Sequence, residues 1–324
     1  MSFKIINPGF GKLFYDYQYH PAYERTGSLY NPKFGVAVYS NDCRIFLGTT
    51  AFSDLYLKFD VFLPDSSNNF LNVGGNGVFL QITQSGTSTQ ITSLRSEELT
   101  VTGAQTNLNL NAVNTVWLHL STGNSYQTTV MVNGATVLDG ENAEMHGTFN
   151  ANSQLVFSIP YEMPLSNLII SDSEILPNEI IALVDASAVD TTMAVREDGS
   201  FSGVEVGDYV LQVLNPASLY GIFGAGGKVT GMAAIAAPAF NTGEDSLFLQ
   251  CRKVNGETVT NYPMDGGDDD VYGAELYYAH ELENTASANE NDYTPAIGEQ
   301  IPVASDTTFA DLSGLKLGWV IVGS

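Results

Sequence analysis

Apolar and polar positions alternate along most of this chain with a period of two, the signature of strands with one buried face. Asp54–Phe62 (DLYLKFDVF), Gly77–Thr83 (GVFLQIT), Thr115–Ser121 (TVWLHLS) and Thr128–Val132 (TTVMV) show it most plainly. Gln90–Leu94, Leu99–Thr102, Leu155–Pro160 and Leu165–Ser171 follow the same rule. Asn133-Gly134, between Thr128–Val132 and Ala135–Leu138, marks a tight hairpin whose central residues must tolerate positive φ. Ser66–Asn69, Ser85–Thr89 and Gly140–Asn152 are rich in turn formers and read as loops. Further along, Ile180–Val184, Tyr209–Leu214, Ser246–Lys253, Tyr272–Tyr278 and Leu317–Val322 read as strands, with one helical turn at Thr308–Leu312. The pattern predicts an all-β protein of antiparallel sandwiches.

Alternation also assigns faces. Trp117, His119 and Ser121 share one face of their strand, and Val116, Leu118 and Leu120 share the other. Trp117 is expected to be largely buried in the first sandwich, and His119 to be half-buried and hydrogen-bonded. At the far end of the chain, Leu317, Trp319 and Ile321 share one face of Leu315–Val322 (LKLGWVIV). Two accounts of that face stand open: it closes the second sandwich, or neighbouring subunits share it.

A chain of 324 residues is too long for one ordinary small core, so two domains are expected. Pro177 and a change of composition put the boundary at Ile175–Glu179, giving domains 1–175 and 176–324. Asp and Glu number 36 against 12 Lys and Arg, a formal charge of −24. The first part carries −7 of it and the second −17. Counterion displacement from a nucleic-acid backbone needs cations this chain lacks, so nucleic acid is excluded as a partner, and an anionic membrane surface is disfavoured. The longest apolar stretch, Met232–Phe240, is too short for a membrane span and contains Pro238, so membrane insertion is not expected. Cys43 and Cys251 fall in different halves and form no CxxC spacing, so both are read as buried free thiols. The opening MSFKIINPGFGK has no apolar stretch of the secretory kind. Synthesis in a bacterial cytoplasm without a signal peptide is expected, with a final place in a virion or extracellular particle.

Three segments invite a chemical reading. Tyr15, Tyr17 and Tyr19 fall on one strand face in LFYDYQYHPAY, where aromatic rings can stack on sugar rings or pack against a core or subunit. Asp265, Asp268, Asp269, Asp270 and Glu275 gather hard oxygens around two glycines, a set suited to Ca²⁺ or to a solvated acidic turn. Gly221–Met232 (GIFGAGGKVTGM) has neither the spacing of a phosphate loop nor a third glycine at the dinucleotide position, so its glycines read as close contacts or loop residues. The four histidines show no zinc spacing, and no serine or cysteine has a nucleophile context.

Residues from about Leu55 to Ser173 resemble the concanavalin A-like or laminin-G-like jelly roll. The resemblance is carried by DLYLKFDVF, GVFLQIT, TVWLHL, TTVMVNGATVLDG and PLSNLIISD in that order. It implies an N-terminal jelly-roll sandwich, followed here by a second, acidic β-sandwich-like domain. It also implies a possible cation on loop carbonyls and acids, for which Asp139 and Asp172 are the candidates. Glycoside hydrolases among such proteins alternate two or three acids on one strand. Here Glu97 and Glu98 are adjacent and face opposite sides, and Glu141 and Glu144 lie in a Gly/Asn/His stretch, so a catalytic role is the minority reading.

The expected function is a structural or receptor-binding protein of a bacteriophage or phage-like particle, such as a tail fibre, tail tip or capsid decoration. Its partners would be copies of itself in a homo-oligomer (a trimer among the options), other virion proteins, and host-surface glycan. A bacterial extracellular glycan-binding or adhesion protein is the alternative, and a polysaccharide-degrading enzyme the third.

Overall fold

The computed structural model describes residues 4–7, 23–25, 37–39, 43–46, 53–63, 67–75, 77–86, 88–96, 99–102, 109–121, 126–142, 154–158, 165–197, 199, 201–203, 205–236, 247–262, 297–301 and 303–323. The fold is all-β, with antiparallel sheets throughout. Among the described residues helix is confined to one α turn, Tyr220–Phe223, and two 3-10 turns, Pro216–Leu219 and Ala310–Leu312. The chain divides into two compact units, and within the described residues the division falls between Ile181 and Ala182.

The first unit is a sandwich of an eight-stranded and a six-stranded sheet. The larger runs Ala135–Asn142, Tyr126–Val132, Ala112–Ser121, Asp54–Leu63, Leu165–Ser171, Ala37–Tyr39, Tyr23–Arg25, with Lys4–Asn7 also pairing Leu165–Ser171. The smaller runs Cys43–Phe46, Gln154–Ser158, Ser67–Gly75, Gly77–Gly86, Ser88–Ser96, Leu99–Thr102. Alternation delivers Leu55, Leu57, Phe59, Val61, Val116, Leu118 and Leu120 from one sheet and Leu71, Val73, Leu80, Ile82 and Phe157 from the other, all fully buried. Phe59 meets Phe157 edge-to-face across the core, with ring centres 6.3 Å apart. The Asn133-Gly134 hairpin forms as expected, with φ of 50° and 83° at the two residues. The Asn133 amide also bonds Thr115 N (3.0 Å) and the buried Asn114 (2.9 Å), locking the turn to the neighbouring strand.

The second unit centres on a five-stranded sheet: Asp185–Thr191, Tyr209–Asn215, Lys316–Gly323, Leu247–Asn255, Thr258–Tyr262. Lys316–Gly323 is therefore an inner strand. Its Leu317, Trp319 and Ile321 are buried in the unit's own core with Leu214, Cys251, Ala234 and Ile301. Cys251 is a fully buried cysteine. A Cβ at Gly318 would run into the Val210 carbonyl, so only glycine lets the two strands approach this closely. In the Gly221–Met232 segment, a Cβ at Gly227 would meet Phe223 at 2.9 Å, and Phe223 stacks on Phe309 with centres 5.2 Å apart. Gly227 thus serves packing, while Gly224 takes a positive φ of 73° at the turn after Tyr220–Phe223.

Several expectations need correction. Ser66–Asn69 and Ser85–Thr89 lie largely within the strands Ser67–Gly75, Gly77–Gly86 and Ser88–Ser96, because Asn and Ser also suit a strand whose outer face is polar. The stretch read as Gly140–Asn152 loop begins as strand, Ala135–Asn142. Ile180–Val184 is not a strand; the strand is Asp185–Thr191. Its apolar residues are divided instead, Ile181 packing with Ile169 and Ile175 while Val184 packs against the second unit's core. Trp117 is half-buried rather than interior: its face points away from the sandwich core, where Val116, Leu118 and Leu120 are. The Pro216–Phe223 turns carry a signal that alternation does not show, Asn215 capping Ala217 N at 3.2 Å with Pro216 at the first helical position.

Candidate functional site

The outer face of the larger sheet gathers the residues most conspicuous in the sequence. Register sets Trp117 beside Lys58, His119 beside Tyr56 and Thr115 beside Asp60. Tyr56 and His119 stack with centres 4.1 Å apart and planes within 2°, and Trp117 tilts against both. His119 Nε2 lies 3.0 Å from Asp54 Oδ1. Burial opposes ionisation of Asp54, but hydrogen bonds from Ser53, His119 and Ser121 outweigh it and hold the carboxyl below its usual range. Burial, with the charges of Asp54 and Glu174, raises the Tyr56 pKa, so its phenol is a donor at neutral pH and a poor base.

Residues 175–181 cross this same face. Trp117 Nε1 donates to Ile175 O at 2.7 Å. The Lys58 ammonium donates to Pro177 O at 2.6 Å and to Glu179 O. Ile175 and Ile181 close with Ile169 into a small second core against Ile6, Tyr56 and Trp117. Asp60 accepts from Thr115 (2.6 Å) and Asn167 (2.7 Å). Lys58 and Asp60 are only 6% and 8% exposed. Burial lowers the Lys58 pKa against the opposing pull of Asp60 and Glu179. The face is charged: Lys58 holds the chain's own segment, and Asp60 is held within the sheet by Thr115 and Asn167.

The outer face of the smaller sheet differs in kind. Register places Ser158, Asn72, Gln81, Thr92 and Thr102 in one lateral row across successive strands. The row contains no charged residue. Gln81 Nε2 donates to Asn72 Oδ1 at 2.9 Å, both side chains being half-buried above the core residues Leu71, Val73, Leu80 and Ile82. Amides and hydroxyls both donate and accept, which is the chemistry that reads sugar hydroxyls. Sequence reasoning passed over this row because its members are unremarkable singly and meet only through strand register.

Tyr15, Tyr17 and Tyr19 lie outside the described residues, as do Asp265, Asp268, Asp269, Asp270 and Glu275. Asp139 and Asp172 are described; Asp139 accepts from the Thr129 hydroxyl (3.1 Å) and Asp172 from the Ser173 hydroxyl (3.2 Å). Among the described residues no group of three or more His, Cys, Asp or Glu is placed to hold a metal ion.

No protein-family model and no curated protein matches the sequence. Solved structures resemble it in part. An endo-β-1,4-glucuronan lyase from the fungus Trichoderma reesei is 9% identical over 52% of this chain and 95% of its own, with a TM-score of 0.37. The T. cruzi calreticulin globular domain is 9% identical over 54% and 88%, at 0.35. A galectin from Caenorhabditis elegans is 13% identical over 41% and 96%, at 0.29.

Proposed function

We propose that this is a non-catalytic glycan-binding protein and, within that class, a structural, receptor-binding component of a bacteriophage or phage-like particle. The observation that carries the glycan reading is the uncharged row of Ser158, Asn72, Gln81, Thr92 and Thr102. Five strands at about 4.8 Å spacing make a row roughly 20 Å long, the scale of a short oligosaccharide. Neutral hydroxyl and amide partners bind sugars without the desolvation cost of burying a charge. The particle reading is supported by the low overall charge content, 15% of residues, and by two β units whose connections are rich in Asn, Gly, Thr and Ser. Self-assembly and Ca²⁺ binding at Asp265–Glu275 belong to the same proposal, and mass measurement in solution with and without a chelator tests both.

A glycan array tests the binding reading. The intact protein should retain defined oligosaccharides, and Asn72→Ala with Gln81→Ala should remove that signal while the melting temperature stays near the parent's. Retention unchanged in the double variant would move the site elsewhere. Release of reducing ends or unsaturated sugars from any retained glycan would overturn the non-catalytic assignment. Portal, baseplate or capsid genes beside the coding sequence would support the particle reading; carbohydrate-uptake genes there would favour an extracellular bacterial binding protein.

A further inference from the structure

The second unit has its own lateral row. Asp190, Leu211, Gly318, Arg252 and Asn261 are direct register partners in turn, one from each strand of the five-stranded sheet. All five lie on the face opposite Leu317, Trp319 and Ile321, which fill the unit's core. Gly318 has no side chain, so the Arg252 side chain lies across the central strand toward Tyr209. Its guanidinium carbon sits 5.8 Å from the Tyr209 ring centre. Arg252 Nε donates to Asn261 Oδ1 at 2.9 Å. The ring contact and the hydrogen bond restrain the guanidinium, and neither uses the Nη donors.

The charge around it makes this arginine unusual. Residues 176–324 carry −17 and only five Lys and Arg. Lys316 on the same face is answered by Asp190 at 2.6 Å, and Asp190 also accepts from the Tyr209 hydroxyl at 3.2 Å. Among the described residues no carboxylate pairs with Arg252. Arg252, Lys316 and Asp190 together leave one net positive charge in a strongly acidic unit, presented by a pre-oriented planar fork.

We propose that this row binds an oxyanion carried by an acidic sugar, with the anion on the Arg252 fork. A guanidinium fork matches a carboxylate or sulfate through paired N–H donors. The Asp190 carboxylate has acceptor capacity beyond its two bonds, and the Asn261 amide can donate, so the two ends of the row can read hydroxyls. Leu211 between them is buried, 4% exposed, and adds little contact surface of its own. The inference deepens the glycan reading above, but its site is on a different unit from Asn72 and Gln81.

Titration calorimetry on the intact protein tests it, using a galacturonate trisaccharide, a sulfated trisaccharide and a neutral galactose trisaccharide. The charged sugars should bind more tightly than the neutral one. Arg252→Lys should weaken that binding by about ten-fold or more, since lysine keeps the charge and loses the fork. Asn261→Ala, at an exposed position, should weaken it by a smaller factor and serves if the Arg252 variant does not fold. Either charged sugar responding in this way supports the site, and the tighter of the two names its natural anion. Charged-sugar binding that is absent, or indifferent to both substitutions, overturns it. Asn72→Ala and Gln81→Ala are run beside them. Array signals lost only in that pair leave the first reading standing without this one, and the reverse result leaves this one without the first.

Discussion

The two sheets of the first unit are built by the same alternation, yet they turn opposite surfaces outward. The larger presents Asp54, Tyr56, Lys58, Asp60, Trp117 and His119, a set that would attract attention in any sequence. Its two most buried charged groups are tied up: Lys58 holds the carbonyls of Pro177 and Glu179, and Asp60 is held by Thr115 and Asn167. The smaller presents Asn72 and Gln81 in a row with serine and threonine positions. Charged and aromatic groups on a sheet face repay burial only when fully partnered, so they suit the docking of a fixed segment of the same chain. Neutral amides exchange partners at small cost, which suits a ligand that comes and goes. On the proposed reading, chemical conspicuousness and glycan binding are separated in this sandwich.

The largest effect that would break this comparison is on the clasped face. Ile175, within that segment, is fully buried, so Ile175→Ala should cost about 2–5 kcal/mol of first-unit stability in a denaturant titration. A loss within about 0.5 kcal/mol, the range of ordinary surface changes, would mean the segment is not docked. On the other face Asn72→Ala should cost about 0.5–1.5 kcal/mol, one net hydrogen bond, while removing glycan retention. If stability falls as far as with Ile175→Ala, the row is structural too. A second test sharpens the clasp: Trp117→Phe keeps an aromatic ring but loses the N–H to Ile175 O, and should cost about 1–3 kcal/mol by leaving that carbonyl unsatisfied. In tryptophan emission the same variant should lose the half-exposed contribution and keep that of the buried Trp319.

Much of this was legible beforehand, for a physical reason. Burial of one strand face forces period-two alternation, so Leu55, Leu57, Val116, Leu118 and Leu120 declare the core without any knowledge of partners. The Asn133-Gly134 turn was equally plain, because positive φ restricts residue choice locally. Trp117 was misjudged since alternation says which residues share a face but not which face looks inward, and size suggested the wrong one. The clasp was invisible because it joins Lys58 to backbone carbonyls more than a hundred positions away, and carbonyls carry no sequence signal. Both lateral rows were invisible on the same ground: register between strands creates them, and no single strand displays them.

The smallest expected effect concerns acid. Asp54 has its pKa held below the ordinary value of 3.8, burial opposing but the Ser53, His119 and Ser121 hydrogen bonds prevailing. Its carboxylate form is therefore favoured more in the folded chain than in the unfolded one. In the window between the lowered folded value and the ordinary one, the unfolded chain binds the greater number of protons, so stability falls as the pH falls. The contribution is complete above the ordinary carboxylate range and is lost as the pH drops through the folded value. Because the Asp54 side chain is 36% exposed and screened by solvent, the amplitude should stay under about 1 kcal/mol, as for exposed ion pairs, and should shrink in salt. Denaturant titrations at neutral pH and near pH ~3 measure it: Asp54→Asn should narrow the difference between the two. Asn72→Ala and Gln81→Ala remove no titratable group, so they should shift both curves together and leave the difference intact. A pH response that moves with the amide pair instead of Asp54 would erase the distinction between a charged, clasped face and a neutral one.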